Sequence, residues 1–289
     1  MASLRDIKRR IKSVRNTSQI TKAMQMVASA KMRRAQELAL KGRTYMSALA
    51  NVLKHLQDTL ADGASSPLME QREKGKKLII VVSTDRGLCG GLNSNLFKEL
   101  LLKCDADADY LTVGVKLNSQ LVRTGRNLAA TFSIGDTVEE AELKPIFQFI
   151  RNGFTDGTYN SVEVIYQKFV NVMVQRPEVM QLLPLSAQDL LNVAAQDDVT
   201  DDDNPNFLLE PDPKTLLNSI LPLYFGHQLV QMILEGKASE QSARMVAMKA
   251  ATENAKTLIG ELTLEYNKAR QTQITNELLE ITTAMKAME

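Results

Sequence analysis

Cysteine, histidine and long apolar runs are all scarce in this chain. Two cysteines, Cys89 and Cys104, among 289 residues are too few for a disulfide framework and lack the paired spacing of a zinc site, so a reducing compartment fits best. The two histidines, His55 and His227, fall in helical patterns at opposite ends of the chain. They leave Cys89 without a base that would make it a nucleophile, and a buried small hydrophobe is the simpler reading of that residue. No stretch approaches the ~18 consecutive apolar residues of a membrane span, and residues 1–15 are too basic and too helical in pattern for a signal peptide. Neither paired carboxylates, nor a Ser-His-Asp set, nor a metal-ligand cluster emerges. The expectation is a soluble, non-catalytic protein with no cofactor and no metal.

What is present begins with charge asymmetry. The net charge is only +1, yet residues 1–60 carry thirteen Lys or Arg against Asp6, Glu37 and Asp58, a net of +10. Residues 197–212 carry seven acids and no base, and residues 213–289 balance at eight of each sign. A basic N-terminal segment of this kind suits DNA, an anionic membrane, an acidic protein surface or plain solvent. Periodicity has to narrow the choice.

Alternating steps of three and four from Leu4 give Ile7, Ile11, Val14, Ser18, Thr21, Gln25, Ala28, Met32, Ala35, Ala39, Gly42, Met46, Leu49, Leu53, Leu56 and Leu60. This heptad seam runs without a proline, as a helix roughly 85 Å long that cannot bury its stripe alone. Ser3 with Asp6 supplies a start signal, and Gly63 to Pro67 a stop. A second rod opens at Asp212-Pro213, a capping residue followed by a proline whose missing N–H costs nothing there, and Pro222 should kink its first turns. Its seam is Met245, Met248, Thr252, Ala255, Ile259, Leu262, Tyr266 and Ala269. It then slips by one residue to Ile274, Leu278, Ile281, Met285 and Met288. Two such rods at opposite ends of one chain most simply fold back as an antiparallel coiled coil. The second is longer, so about 28 Å of it lacks a helical partner and leaves apolar residues in water.

Between the rods the periodicity changes to short buried runs alternating with helical stretches, the pattern of a mostly parallel, Rossmann-like α/β domain. Strands are expected at Leu78 to Ser83, Leu111 to Val115 and Ser161 to Lys168, and helices at Asn95 to Lys103 and Val138 to Arg151. Extended or edge structure is expected from Phe169 to Leu185, and a solvated loop over Asp197 to Asp203. The expected organisation is a shaft of residues 1–62 and 212–289, an inserted domain of 75–200, and connecting loops at 63–74 and 201–211. The turn Asp85-Arg86-Gly87-Leu88-Cys89-Gly90-Gly91-Leu92-Asn93 follows the first strand, where nucleotide-binding folds put a phosphate loop. Its order, Gly-x-x-Gly-Gly, is neither G-x-G-x-x-G nor a P-loop, and tight-turn geometry explains its glycines without a ligand. An α/β enzyme with helical extensions and a coiled-coil nucleic-acid or scaffold protein are the rivals to a mechanical subunit. The first needs a ligand bound at this turn, the second an affinity that falls steeply with salt.

Three separated segments carry a family resemblance: Ile20-Thr21-Lys22-Ala23-Met24-Gln25-Met26-Val27-Ala28-Ser29-Ala30-Lys31-Met32, Ser83-Thr84-Asp85-Arg86-Gly87-Leu88-Cys89-Gly90, and Tyr266-Asn267-Lys268-Ala269-Arg270-Gln271 running into Ile274-Thr275-x-Glu277. With Glu210-Pro211-Asp212-Pro213 and Ala243-Arg244-Met245-Val246-Ala247-Met248, essentially the whole chain resembles the γ subunits of bacterial F-type ATP synthases. One departure is Ala284-Met285, where the family usually has Gly-Ala. The resemblance implies a rotor shaft standing inside a ring of three α and three β subunits, with its foot and inserted domain on the membrane c-ring beside ε. By the same resemblance the shaft would couple ion transport to ATP synthesis or hydrolysis, with the catalytic sites on β. It also implies contacts to β at Lys22 and Met24, which face an acidic lever, and at Arg270, Gln271 and Thr275. The tip residues Leu278, Ile281, Met285 and Met288 would turn in an apolar bearing. No contact to nucleic acid and no membrane insertion is expected. With no transit peptide before Met1 and no redox-regulatory cysteine insertion, the implied place is peripheral, on the cytoplasmic face of a bacterial inner membrane.

Overall fold

A computed structural model describes residues 3–55, 66–185 and 212–288. The seam positions Leu56 and Leu60, the run Asp197 to Asp203, and the connecting residues 63–65 and 201–211 lie outside the described residues. The chain divides into two compact units, one of Met1–Ser29 with Arg244–Glu289 and one of Ala30–Ala243. Helices α1 (Leu4–His55) and α5 (Pro213–Met288) contribute to both. Between them in sequence come β1 (Lys76–Val82), α2 (Leu92–Lys103), β2 (Asp109–Val113), α3 (Asn118–Arg123), β3 (Asn127–Phe132), α4 (Glu140–Thr155), β4 (Tyr159–Phe169) and β5 (Gln175–Leu183).

In the first unit the heptad positions are the protected ones. On α1, Leu4, Ile7, Ile11, Val14, Ser18, Thr21, Gln25 and Ala28 are buried or half-buried while their neighbours are mostly exposed. On α5 the same holds for Met245, Met248, Thr252, Ala255, Ile259, Leu262, Tyr266 and Ala269. The Thr21 and Thr252 hydroxyls meet at 2.7 Å within this seam. Leu4 lies 17 residues before Thr21, and protection on α5 continues for 17 residues after Thr252, to Ala269. That equality fixes an antiparallel pairing which ends where α1 begins.

The second unit is built on a five-stranded sheet of order β3-β2-β1-β4-β5, parallel except for the antiparallel edge strand β5. Its apolar strands are continuous because both faces are covered. Leu78, Ile80 and Val82 of β1 face a core shared with Ile146, Ile150 and Phe154 of α4 and with Leu221, Leu229 and Ile233 of α5. Ile79 and Val81 face the other way, against Leu96 and Leu100 of α2 and Leu121 at α3. The lower parts of the two long helices also pair antiparallel here. The Tyr45 ring sits 4.2 Å from His227, and a Cβ on Gly42 would lie 2.8 Å from Gln231 Oε1.

Start signals read from the sequence act as expected. Asp212 Oδ2 accepts from the Thr215 amide at 3.0 Å, and Ser3 Oγ accepts from that of Asp6 at 3.3 Å. The α5 helix continues through Pro222. Two elements escaped the sequence reading, α3 and β3. The first has only 6 residues, too few to show a period, and the second is an edge strand whose Asn-Leu-Ala-Ala-Thr-Phe is never fully buried. The remaining strands and helices shift from the expected bounds by a few residues.

Candidate functional site

In the first unit, residues 270–288 extend beyond the paired seam, and every one of them is exposed. At 1.5 Å per residue that overhang is about 28 Å long. It presents Ile274, Leu278, Leu279, Ile281, Met285 and Met288, each 44–89% exposed. A helix that places six large apolar side chains in water leaves unburied a surface worth about 1.5–3 kcal/mol per side chain when covered. Leu279 was not foreseen, because it lies off the slipped seam.

Of the residues implied in contacts to β, Arg270, Gln271 and Thr275 lie on this overhang. The Thr275 hydroxyl donates to the Gln271 carbonyl at 2.9 Å, and Gln273 Nε2 to Glu277 Oε1 at 2.9 Å. These bonds stay within the helix, and Arg270 and Gln271 are themselves exposed. Lys22 and Met24 lie on α1, both exposed, beside exposed Ile20 and Val27. Asp6 is the sole acid of residues 1–29 and it pairs with Arg9 at 2.9 Å, so the basic face is little neutralised from within its own helix.

The glycine-rich turn lies in the second unit at the carboxyl end of β1, next to the β1/β4 reversal of strand order, where open α/β sheets take their ligands. Here the chain itself fills that place. Gly236 of α5 packs so closely on β1 that a Cβ there would meet Val82 Cγ1 at 2.8 Å. Ser239 Oγ donates to the Gln167 carbonyl on β4 at 2.9 Å. Lys237 Nζ donates to the Ile134 carbonyl just past β3 at 2.8 Å and lies 3.7 Å from Asp85 Oδ2. Ser242 Oγ reaches the Val172 carbonyl at 2.8 Å.

The turn is tied down from its other side as well. Asn93 Nδ2 donates to Thr84 Oγ1 at 2.7 Å, and the Thr84 hydroxyl donates to the Arg86 carbonyl at 2.9 Å. Cys89 is buried, as its reading as a small hydrophobe required. The sequence reading missed the α5 segment that does the filling. Its signal is the run Gly236-Lys237-Ala238-Ser239-Glu240-Gln241-Ser242-Ala243, made of small and polar residues yet almost wholly buried.

Among the described residues, no helix is long and apolar enough to cross a membrane and no cluster of His, Cys, Asp or Glu is arranged to hold a metal ion.

Comparison with known proteins agrees along the full length. A family model described as ATP synthase matches residues 3–288. The ATP synthase gamma chain of Akkermansia muciniphila is 59% identical over 292 residues, covering 100% of both chains. That of Opitutus terrae is 46% identical over 295 residues, covering 99% of each. A chain of the Euglena gracilis mitochondrial ATP synthase OSCP/F1/c-ring structure shares the fold, with a TM-score of 0.67 at 19% identity over 99% of this chain and 94% of that one. A chain from the central stalk/c-ring structure of the Tetrahymena thermophila mitochondrial enzyme aligns with a TM-score of 0.56 at 28% identity, over 80% of this chain and 99% of the other. Matched by that family model over residues 3–288 and 59% identical to one gamma chain over the full length of both, this chain belongs to the ATP synthase gamma chain family.

Proposed function

We propose that the chain is the central rotor shaft of an F-type ATP synthase, passing torque between the membrane c-ring and the catalytic ring of three α and three β subunits. The observation that carries this reading is the exposed apolar overhang of residues 270–288, on a chain whose full length matches ATP synthase gamma chains. Such a tip is stable in water only at a cost and is suited to a sleeve of apolar side chains. There it can turn without breaking directional bonds, because hydrophobic contact is non-directional. Leu278, Ile281, Met285 and Met288 are the bearing surface. Arg270, Gln271 and Thr275 supply polar contacts that hold one angular state of a β subunit. Lys22 and Met24 face its acidic lever, where a basic helix gains most from charge complementarity.

The shaft comprises residues 1–62 and 212–289, the inserted domain 75–200, with linkers at 63–74 and 201–211. The inserted domain and the foot of the shaft rest on the c-ring with ε. The chain itself catalyses nothing: rotation of an asymmetric shaft shifts the three β sites among unlike affinities. It works at the cytoplasmic face of the bacterial inner membrane, held there through its partners.

The test is reconstitution with α and β subunits. Leu278→Asp with Met285→Asp leaves the fold of the isolated chain intact, because both side chains are exposed in it, and lowers the yield or ATP-driven rotation of the assembled complex. Arg270→Ala with Gln271→Ala weakens torque. Normal assembly and rotation in both double variants would remove the bearing and the catch.

A further inference from the structure

Asp136, in the loop between β3 and α4, holds both long helices at once. Its Oδ2 is 2.5 Å from Lys31 Nζ of α1, and its Oδ1 accepts from Gln241 Nε2 of α5 at 3.4 Å. One turn before Gln241, Lys237 donates to the carbonyl of Ile134 in the same loop and faces Asp85 in the glycine-rich turn. The Lys237 side chain is only 9% exposed. Loop 134–136 is thus gripped by α5 at two points and by α1 at one, all within the second unit.

We propose that Asp136 and Lys237 are positioning residues that form a directional joint, fixing the angle of the helix pair against the sheet so that torque applied to one reaches the other. The proposal rests on the shaft reading above and names where within the chain the load passes. The alternative, that these polar groups only stabilise the fold, sits poorly with their chemistry. A buried lysine and its partner are a weak choice for stability, since replacing such a pair as a whole by apolar residues of like volume is often neutral or better. What it adds is direction. The aliphatic contacts beside it, such as Gly236 on Val82, resist separation but yield to sliding. A hydrogen bond weakens steeply once its angle opens. Two directional ties from α5 and one from α1 therefore oppose a twist that packing alone tolerates.

The experiment uses the assembled, membrane-reconstituted enzyme and reads ATP hydrolysis and ATP-driven ion pumping together. In Lys237→Met with Asp136→Asn, the ratio of pumping to hydrolysis is expected to fall at least about twofold. That variant also leaves the Ile134 carbonyl and Asp85 without their lysine, so its melting temperature falls as well, and Lys31→Met separates coupling from stability. Lys31→Met, a surface change outside the core, is expected to lower the ratio in the same direction, and Lys237→Arg to restore most of it. An unaltered ratio in both Lys237→Met/Asp136→Asn and Lys31→Met overturns the joint and leaves the shaft reading intact. Failure of the unaltered chain to assemble with α and β subunits overturns both.

Discussion

The hydroxyls of Thr21 and Thr252 lie 2.7 Å apart inside the helix seam, one from each end of the chain. Each also has an acceptor on its own helix. Thr252 Oγ1 is 2.8 Å from the Met248 carbonyl, and Thr21 Oγ1 is 3.1 Å from that of Ser18. The pair spends little stability on burying polar atoms and marks one register among the many that an Ala-rich seam allows.

Replacing either threonine by valine should therefore cost about 0.5–1.5 kcal/mol, because the remaining hydroxyl keeps an intrahelical partner, and replacing both should be nearly neutral. Urea unfolding of the two single variants and the double variant closes the cycle. A double variant as costly as the sum of the singles would mean that the hydroxyls are not coupled.

Gly114 has φ +101° and approaches β1 so closely that a Cβ would stand 2.4 Å from the Ser83 carbonyl oxygen. Backbone cannot move aside as a flexible side chain can. Gly114→Ala is expected to destabilise the chain by about 2 kcal/mol or more, combining left-handed strain with the clash. A urea midpoint equal to that of the unaltered protein would contradict this geometry.

Burial holds the His227 imidazole below its ordinary pKa. The folded chain consequently takes up fewer protons than the unfolded chain as pH falls through the unfolded value of about 6.5. Stability from this group is present above that pH and drains away below it, toward the folded pKa. Chemical unfolding at about pH 5.5 should show a lower midpoint than at about pH 7.5, and His227→Gln should flatten that slope. A variant with the same pH dependence would assign the effect elsewhere.

Burial, aided by the nearby Glu163 carboxylate, pushes the Cys104 thiol up to about 11. Since the thiolate is the reactive form, alkylation by iodoacetamide near pH 8 should be slow in the folded chain and fast in urea. Rapid modification of Cys104 under native conditions would show that the α2 end opens readily.

The two rods were the most legible part of the sequence, since a heptad repeated from Leu4 to Leu49 leaves one face to bury and no other way to bury it. The bare tip followed from the unequal lengths of the rods. The central strand was legible too: Leu-Ile-Ile-Val-Val has no polar face because α4 and α5 cover one side and α2 and α3 the other. The closing of the crevice was not. The bonds made by Lys237 and Ser239 join residues 103 and 72 positions apart, and no local period encodes a pairing of that span. The spacing of the glycine-rich turn argues against a phosphate loop, but the helix that packs beside the turn appears only in three dimensions. Asp136 was unremarkable in sequence for the same reason, as its partners come from both ends of the chain.

Because α5 fills the crevice at the carboxyl ends of β1 and β4, a molecule could enter there only by prising Gly236 off Val82 and breaking the bond from Ser239 to Gln167.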